Sequence, residues 1–548
     1  MTAPEATPDT LGDAAQRDRI VAMLRSVGRK ITPPPIAYST DGRTFSFQTA
    51  VADALPVGGF VELQPEGDRR FLGQVAAANV ERRDGPELSL AGGSGLGLDP
   101  DVADVTRTSI RLQVPVVVGT GTILSVVEGD GLRDPAPADV FDGATVAAAD
   151  PATIAAYHDR WASRRATVDV GRVMGVDGER ARLAVEGFGR HTFLCGQSGS
   201  GKSYALGVIL ERLLLETSLR IVVLDPNGDF VRLGDLRPRD QTRGPDGQPL
   251  DERAYAALEQ RHAAATNRLR VFRAPALAAG EDSAIRVHFS DFQPDVQAMV
   301  LRLDPIADRD ETHALRRVIE RFGNAPYTVA DVRAAAAADL SHEARQVALR
   351  IDNLGVADWS IWAERDRPSL MGRLADDWRA VVLDTGGFAV PQESSLVALG
   401  ALNVLWQARE DREPVLVVID EAHNVCPAEP ADRIQDAATR RAVQIAGEGR
   451  KFGMFLLFAT QRPQKVHPNV LSQADNLVLM RMNSAGDLDR LRETFSVVPS
   501  AMLEQAARFG LGESLLAGRI VPSPLFARVE GRFTAEGGGD IPATWATR

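Results

Sequence analysis

Apolar residues recur along the chain in two rhythms, and the change between them divides the sequence. From about Ile36 to Val127 they come as short runs, Thr44 to Phe47, Phe60 to Leu63, Phe71 to Val75 and Ile110 to Val118, broken by Gly, Pro and Asp turns. That pattern predicts a small β-barrel over 35–127. Ahead of it, 1–34 reads as a flexible arm whose Ile20, Val21, Leu24 and Val27 fall at the spacing of one short helix. After it, 128–165 is expected to be a linker rich in Gly, Pro, Ala and Asp, followed by a helix from Ala152 to Arg165.

From 166 onward the rhythm alternates between buried-strand runs and helical spacing. Val168 to Val173 and Ala181 to Val185 read as a strand pair. Then come strand His191 to Cys195, helix Tyr204 to Leu215, strand Leu219 to Leu224, strand Ala380 to Asp384, helix Ser394 to Arg409, strand Val415 to Asp420, helix Ala431 to Glu448 and strand Met454 to Thr460. Such an order predicts an α/β fold with a largely parallel, helix-covered sheet. Two stretches interrupt it. Arg237 to Thr266 reads as a polar surface insertion with one helix, and about 292–365 as a helical insertion, with Thr328 and Asp331 placed to cap one of its helices. A tail is expected over about 530–548.

Composition narrows the class. Of 548 residues, 44% are apolar and 25% charged, with 62 basic against 74 acidic side chains and a formal net charge of −12. These values suit a globular protein and leave nucleic-acid binding to local rather than global charge. Two cysteines, Cys195 and Cys426, exclude a disulfide framework and fit a reducing cytoplasm. No apolar run approaches the roughly 18 residues of a membrane span, so no membrane partner is expected. No Cys/His set has zinc-ligand spacing.

The candidate chemistry centres on Gly196-Gln197-Ser198-Gly199-Ser200-Gly201-Lys202-Ser203, a phosphate-binding loop between a predicted strand and a predicted helix. Its glycines admit close backbone approach, its N–H groups and the helix start hold phosphates, Lys202 reaches the outer phosphates and Ser203 can ligate magnesium. The expected nucleotide-binding set runs from Gly196 through Tyr204. By contrast, Gly92 to Gly97 has neither lysine nor following helix and is given no chemistry. The apolar run Val415 to Ile419 ends in Asp420-Glu421. Beside a phosphate loop, Asp420 is placed to organise the metal shell and Glu421 to polarise the attacking water. Gln461, after the next strand, can orient that water. His423 is open between coupling and a structural hydrogen bond. Arg450 and Lys451 close a helix, where their charge can simply offset the helix dipole.

Taken together, the loop, Asp225-Pro226-Asn227-Gly228-Asp229, Ile419 to Asn424, Glu448 to Gly453 and Thr460 to Pro463 resemble the HerA branch of the HerA/FtsK ATPases. The likeness covers about 35–548, including the tail Glu536 to Pro542; it leaves 1–34 and Arg237 to Thr266 unaccounted for. It implies a RecA-like P-loop ATPase that binds ATP and Mg2+ between subunits of a homohexameric ring. It also implies Arg450 as a finger acting on the neighbouring subunit, with Lys451 the nearby alternative, and Glu421, Lys202 and Gln461 as its partners in catalysis. The family's work implies a double-stranded DNA translocase or helicase paired with a separate nuclease or other effector, in DNA processing or antiviral defence. The alternative is a nucleotide-gated ring scaffold that activates an effector without translocation.

Overall fold

A computed structural model describes residues 35–88, 110–129, 131–244 and 247–538. The arm read over 1–34, the Gly92 to Gly97 loop and the end of the tail from 539 lie outside the described residues. The described chain forms two compact units, one ending at Arg160 and including Pro499–Met502, the other made of Trp161–Val498 and the chain from Leu503 onward.

The first unit contains β1 (Ile36–Ser39), β2 (Thr44–Ala50), β3 (Phe60–Gln64), β4 (Arg70–Leu88), β5 (Ile110–Glu128), β6 (Gly131–Arg133) and β7 (Phe141–Ala148). The order β2-β1-β7-β3-β4-β5 closes through a β2–β5 pairing into a barrel, with β6 added on β5. Alternation drives the closure: Phe45, Phe47, Val61, Leu63, Phe71 and Val146 all turn inward and are buried. Gly121 is required by this core, since a Cβ there would lie 2.2 Å from the Phe45 ring.

The linker expected from 128 does not exist as such. Its residues supply β6 and β7, and β7 lies between β1 and β3. Ala144 and Val146 point inward from an otherwise small and polar run, too weak an alternation to stand out. Arg133 binds both oxygens of the buried Asp139 carboxylate at 2.6 and 2.7 Å, which fixes the turn between the two strands. Helix α1 (Pro151–Ala162) follows.

The second unit is built on one sheet of eleven strands, in the order β12-β13-β11-β14-β15-β10-β16-β17-β18-β8-β9. The strands are β8 (Thr167–Val173), β9 (Arg180–Ala184), β10 (His191–Cys195), β11 (Arg220–Asp225), β12 (Leu269–Arg273), β13 (Ala380–Asp384), β14 (Val415–Ile419), β15 (Met454–Thr460), β16 (Ala474–Leu479), β17 (Glu513–Ala517) and β18 (Leu525–Val529). From β12 to β16 every pairing is parallel; from β16 to β9 every pairing is antiparallel. Strands β10, β13 and β14 are buried along their whole length, as runs covered on both faces must be.

Helices α2 (Lys202–Glu216), α9 (Pro391–Gln407) and α10 (Arg433–Glu448) belong to the alternating core. Between them lie α3 (Glu252–Thr266), α4 (Pro294–Val300), α5 (Arg309–Glu320), α6 (Val329–Ala338), α7 (His342–Leu354) and α8 (Leu370–Ala375). Among the described residues, helix α3 is the one long helix of the Arg237 to Thr266 insertion, and α4 to α7 make up the helical insertion. Thr328 and Asp331 form the expected reciprocal cap at the start of α6. This parallel, helix-flanked sheet with a phosphate loop at one strand end is a RecA-like P-loop core, joined in the same chain to an N-terminal barrel.

Candidate functional site

Sheet order explains why the separate sequence motifs meet. Strand β15 stands between β14 and β10, and all three run parallel, so their carboxyl ends share one edge. The phosphate loop leaves β10 at that edge, Asp420-Glu421 leaves β14, and Gln461 leaves β15. Ligands of open α/β sheets bind at this edge.

The loop takes the shape its glycines permit. Gly199 and Gly201 have φ of +71° and +92°, in the region closed to most side chains. Helix α2 begins at Lys202, whose side chain is only 5% exposed. Its Nζ lies 2.5 Å from Asp420 Oδ1 and 3.0 Å from Glu421 Oε1. Gln461 Nε2 donates to Glu421 Oε1 at 3.0 Å. Lys202, Asp420, Glu421 and Gln461 are thus one bonded cluster.

Charge in the cluster is balanced around the lysine. Burial alone would pull Lys202 down, but attraction to Asp420 and Glu421 outweighs it and the ammonium is held above its usual range. For Glu421, burial is likewise outweighed, here by Lys202 and Gln461, and the carboxylate is favoured. Asp420 behaves differently: burial pushes it up despite the adjacent ammonium. Its Oδ2 is buried with no hydrogen-bond partner. A buried, unpartnered carboxylate oxygen in the same cluster as the loop lysine, with the Ser203 hydroxyl on the adjoining loop, fits a hard divalent cation, which takes oxygen ligands and leaves further positions to phosphate and water.

Glu421 is held in a strained backbone conformation, with φ of 45° and ψ of 53°. His423 supports it from behind: its Nδ1 lies 2.9 Å from Thr460 Oγ1 and 3.3 Å from Glu421 Oε2. Burial lowers the His423 pKa and favours the neutral ring. Farther along the edge, Asp225 accepts from the backbone N–H of Asp229 and Phe230 at 3.0 and 2.8 Å, which shapes the 226–230 turn. Burial raises its pKa to about 7.

Arg450 is not brought into this cluster. It lies in the turn Gly449–Phe452 that precedes β15, whereas Gln461 follows the carboxyl end of that strand. Seven strand residues separate the two edges, or roughly 20 Å at ~3.3 Å per residue. Its guanidinium pairs with Asp475 at 3.2 Å, and Asp475 also lies 3.6 Å from Arg190. Lys451, beside it, is exposed.

The cavity over the loop measures about 690 Å3; its walls take Asn227 and Asp229 from the 225–229 motif and Glu536 from the tail, and add Gly512, Arg528 and Glu530, which no motif indicates. Most come from the C-terminal segment, which is stitched to α2. Buried Glu211 accepts from Phe533 N, Thr534 N and Thr534 Oγ1 at 2.8, 2.9 and 2.9 Å. Buried Arg532 donates to Ser203 O at 3.4 Å, and its backbone N–H donates to Tyr204 Oη at 2.9 Å. A Cβ on Gly207 would lie 2.5 Å from the Arg532 guanidinium carbon, so that helix position must be glycine for the arginine to fit. Only the tail residues from Glu536 hint at this in the sequence. Glu211→Ala removes the acceptor, takes the counter-charge from buried Arg212 and leaves two N–H groups unpaired; a loss of roughly 3–5 kcal/mol is expected, read as a lowered thermal transition.

Known proteins share part of this arrangement. Residues 168–352 match the family described as Helicase HerA, central domain. A probable DNA double-strand break repair helicase HerA of Methanocaldococcus jannaschii is 28% identical over 155 residues, covering 28% of this chain and 30% of that protein. The DNA double-strand break repair helicase HerA of Sulfurisphaera tokodaii is 23% identical over 391 residues, covering 69% of this chain and 71% of that protein. Among solved structures, VirB4 of Thermoanaerobacter pseudethanolicus aligns with a TM-score of 0.43 and 16% identity, over 66% of this chain and 96% of that one. Over its central domain at 168–352 the chain is similar to HerA proteins, and the two HerA relatives extend that similarity at lower identity.

Proposed function

We propose that the chain is the subunit of an ATP-hydrolysing homohexameric ring that moves along double-stranded DNA and works with a separate nuclease or other effector protein. The observation that carries the reading is the meeting of Lys202, Asp420, Glu421 and Gln461 in one bonded cluster, reached from three neighbouring strands. The names of the relatives, DNA double-strand break repair helicases, support the DNA part. In the described residues no helix is long and apolar enough to cross a membrane, and the reading places the ring in the cytoplasm.

Each residue has a task. Backbone N–H groups from Gly196 to Ser203 bind the phosphates, and Lys202 exchanges its contacts with Asp420 and Glu421 for the outer phosphates. That exchange frees the Glu421 carboxylate to accept a proton from the attacking water, while Gln461 fixes the water's direction. Ser203 and Asp420 Oδ2 would hold Mg2+, which when bound neutralises phosphate charge. Arg450 cannot reach the site of its own chain. It serves the next subunit's site, where a guanidinium stabilises charge as the phosphoryl group transfers.

Turnover by the size-fractionated oligomer, measured with and without linear duplex DNA, tests the motor reading. A severalfold rise with DNA is expected. Turnover indifferent to DNA but altered by a co-purifying protein would replace the motor with a nucleotide-gated scaffold that activates an effector.

A further inference from the structure

The cavity over the phosphate loop has a second wall that the reaction as derived above does not use. Phosphates held between Gly199 and Ser203 leave the ribose and base to lie against whatever faces them across the cavity. That wall comes from the end of β18 and the turn leading into β17: Leu511, Gly512, Arg528 and Val529 line the same cavity as Lys202 and Ser203.

The wall is fixed directly to the loop. Gly512 N donates to Ser200 O at 3.1 Å, and Val529 N donates to Gly512 O at 2.8 Å. Gly512 adopts φ of +77°, and a Cβ on Gly201 would lie 3.4 Å from Gly512 N, so the turn leading into β17 packs on the loop backbone. Loop and turn therefore hold a constant separation, as two walls of one ligand site require. The volume of about 690 Å3 falls in the range of small-molecule sites, roughly 300–1,000 Å3.

Two side chains on the wall have the right chemistry for a flat heterocycle. Leu511 is 66% exposed and offers apolar surface that a ring would cover. Arg528 is exposed, and among the described residues no hydrogen bond or ion pair engages its guanidinium. Neighbouring charges on the same cavity are taken: Glu530 pairs with Arg172, and Glu536 pairs with Arg237. A planar guanidinium left free on the same cavity wall as an apolar side chain stacks well on an aromatic face.

The geometry points to a nucleobase subsite in which Leu511 and the Arg528 guanidinium cover the base of a nucleoside triphosphate whose phosphates occupy the Gly196 to Ser203 loop. This inference rests on the nucleotide reading above and adds residues to it that no phosphate-loop motif contains.

Titration calorimetry on the full-length chain, with Mg2+, separates the two claims by using two ligands: a non-hydrolysable ATP analogue and inorganic triphosphate. Wild type, Arg528→Ala and Leu511→Asn are compared; both positions are exposed, and the asparagine removes apolar surface without adding a charge near the loop. Wild type is expected to bind the analogue more tightly than triphosphate. Each variant is expected to weaken the analogue by about tenfold and to leave triphosphate within about twofold of wild type. Variants that leave analogue binding intact, or that weaken both ligands equally, overturn the subsite. Wild type binding both ligands with the same affinity overturns the subsite while the phosphate loop stands. Wild type binding neither overturns the nucleotide reading itself.

Discussion

Glu421→Gln is expected to lower ATP turnover by roughly 10²–10⁴-fold, the usual worth of a positioned general base, with nucleotide affinity largely retained. The amide keeps the shape of the side chain and its contact with Gln461, 3.0 Å away, but it cannot accept the proton that water releases. Lys202→Ala serves as the contrast. It removes the cation that lies 2.5 Å from Asp420 and 3.0 Å from Glu421, leaving two buried carboxylates facing each other and the phosphates without their counter-charge. Binding and turnover should both fall. Binding and single-turnover measurements on the two variants distinguish a lost base from a lost phosphate contact.

Arg450→Ala is expected to lower turnover on the order of 10³-fold or more, as arginine fingers do, while each subunit still binds nucleotide. The basis is distance. Arg450 precedes β15 and Gln461 follows it, so the strand's full length separates the arginine from its own site. In the single chain it is held by Asp475 at 3.2 Å, an exposed pair that contributes little to stability and is easily exchanged for a phosphate. Lys451→Ala is the control, because a lysine lacks the planar fork that grips phosphate oxygens in pairs. A larger loss for Lys451→Ala than for Arg450→Ala would reverse their roles.

Which of these features are legible in the amino-acid sequence depends on the kind of signal that carries them. Strands β13 and β14 are unbroken apolar runs that end at an aspartate, and burial on both faces leaves that mark in sequence. The phosphate loop is legible because its glycines, lysine and serine are contiguous. The meeting of Lys202 with Asp420 and Glu421 is expected from chemistry, but the geometry depends on β15 standing between β10 and β14, an order that no local pattern encodes. Strands β6 and β7 escape sequence reasoning because Gly, Ala and Asp blur the alternation that places only Ala144 and Val146 inside. The C-terminal wall escapes it for another reason. Arg532, Glu211 and Gly207 interlock across more than three hundred residues of chain, and a buried arginine looks in sequence like any surface one. Sequence rhythm reports burial of apolar faces; it is silent on polar groups buried by pairing.

Mixing two inactive variants tests most directly whether the site is completed by a neighbouring subunit. Lys202→Ala chains retain Arg450, and Arg450→Ala chains retain the phosphate loop, so a mixed ring contains interfaces at which an intact loop meets an intact arginine. Steady-state ATP hydrolysis should be near background for each variant alone and should rise well above the sum of the two when they are co-assembled. Mixed rings of confirmed composition that remain at background would contradict a site shared between subunits, and would leave hydrolysis to the groups of a single chain.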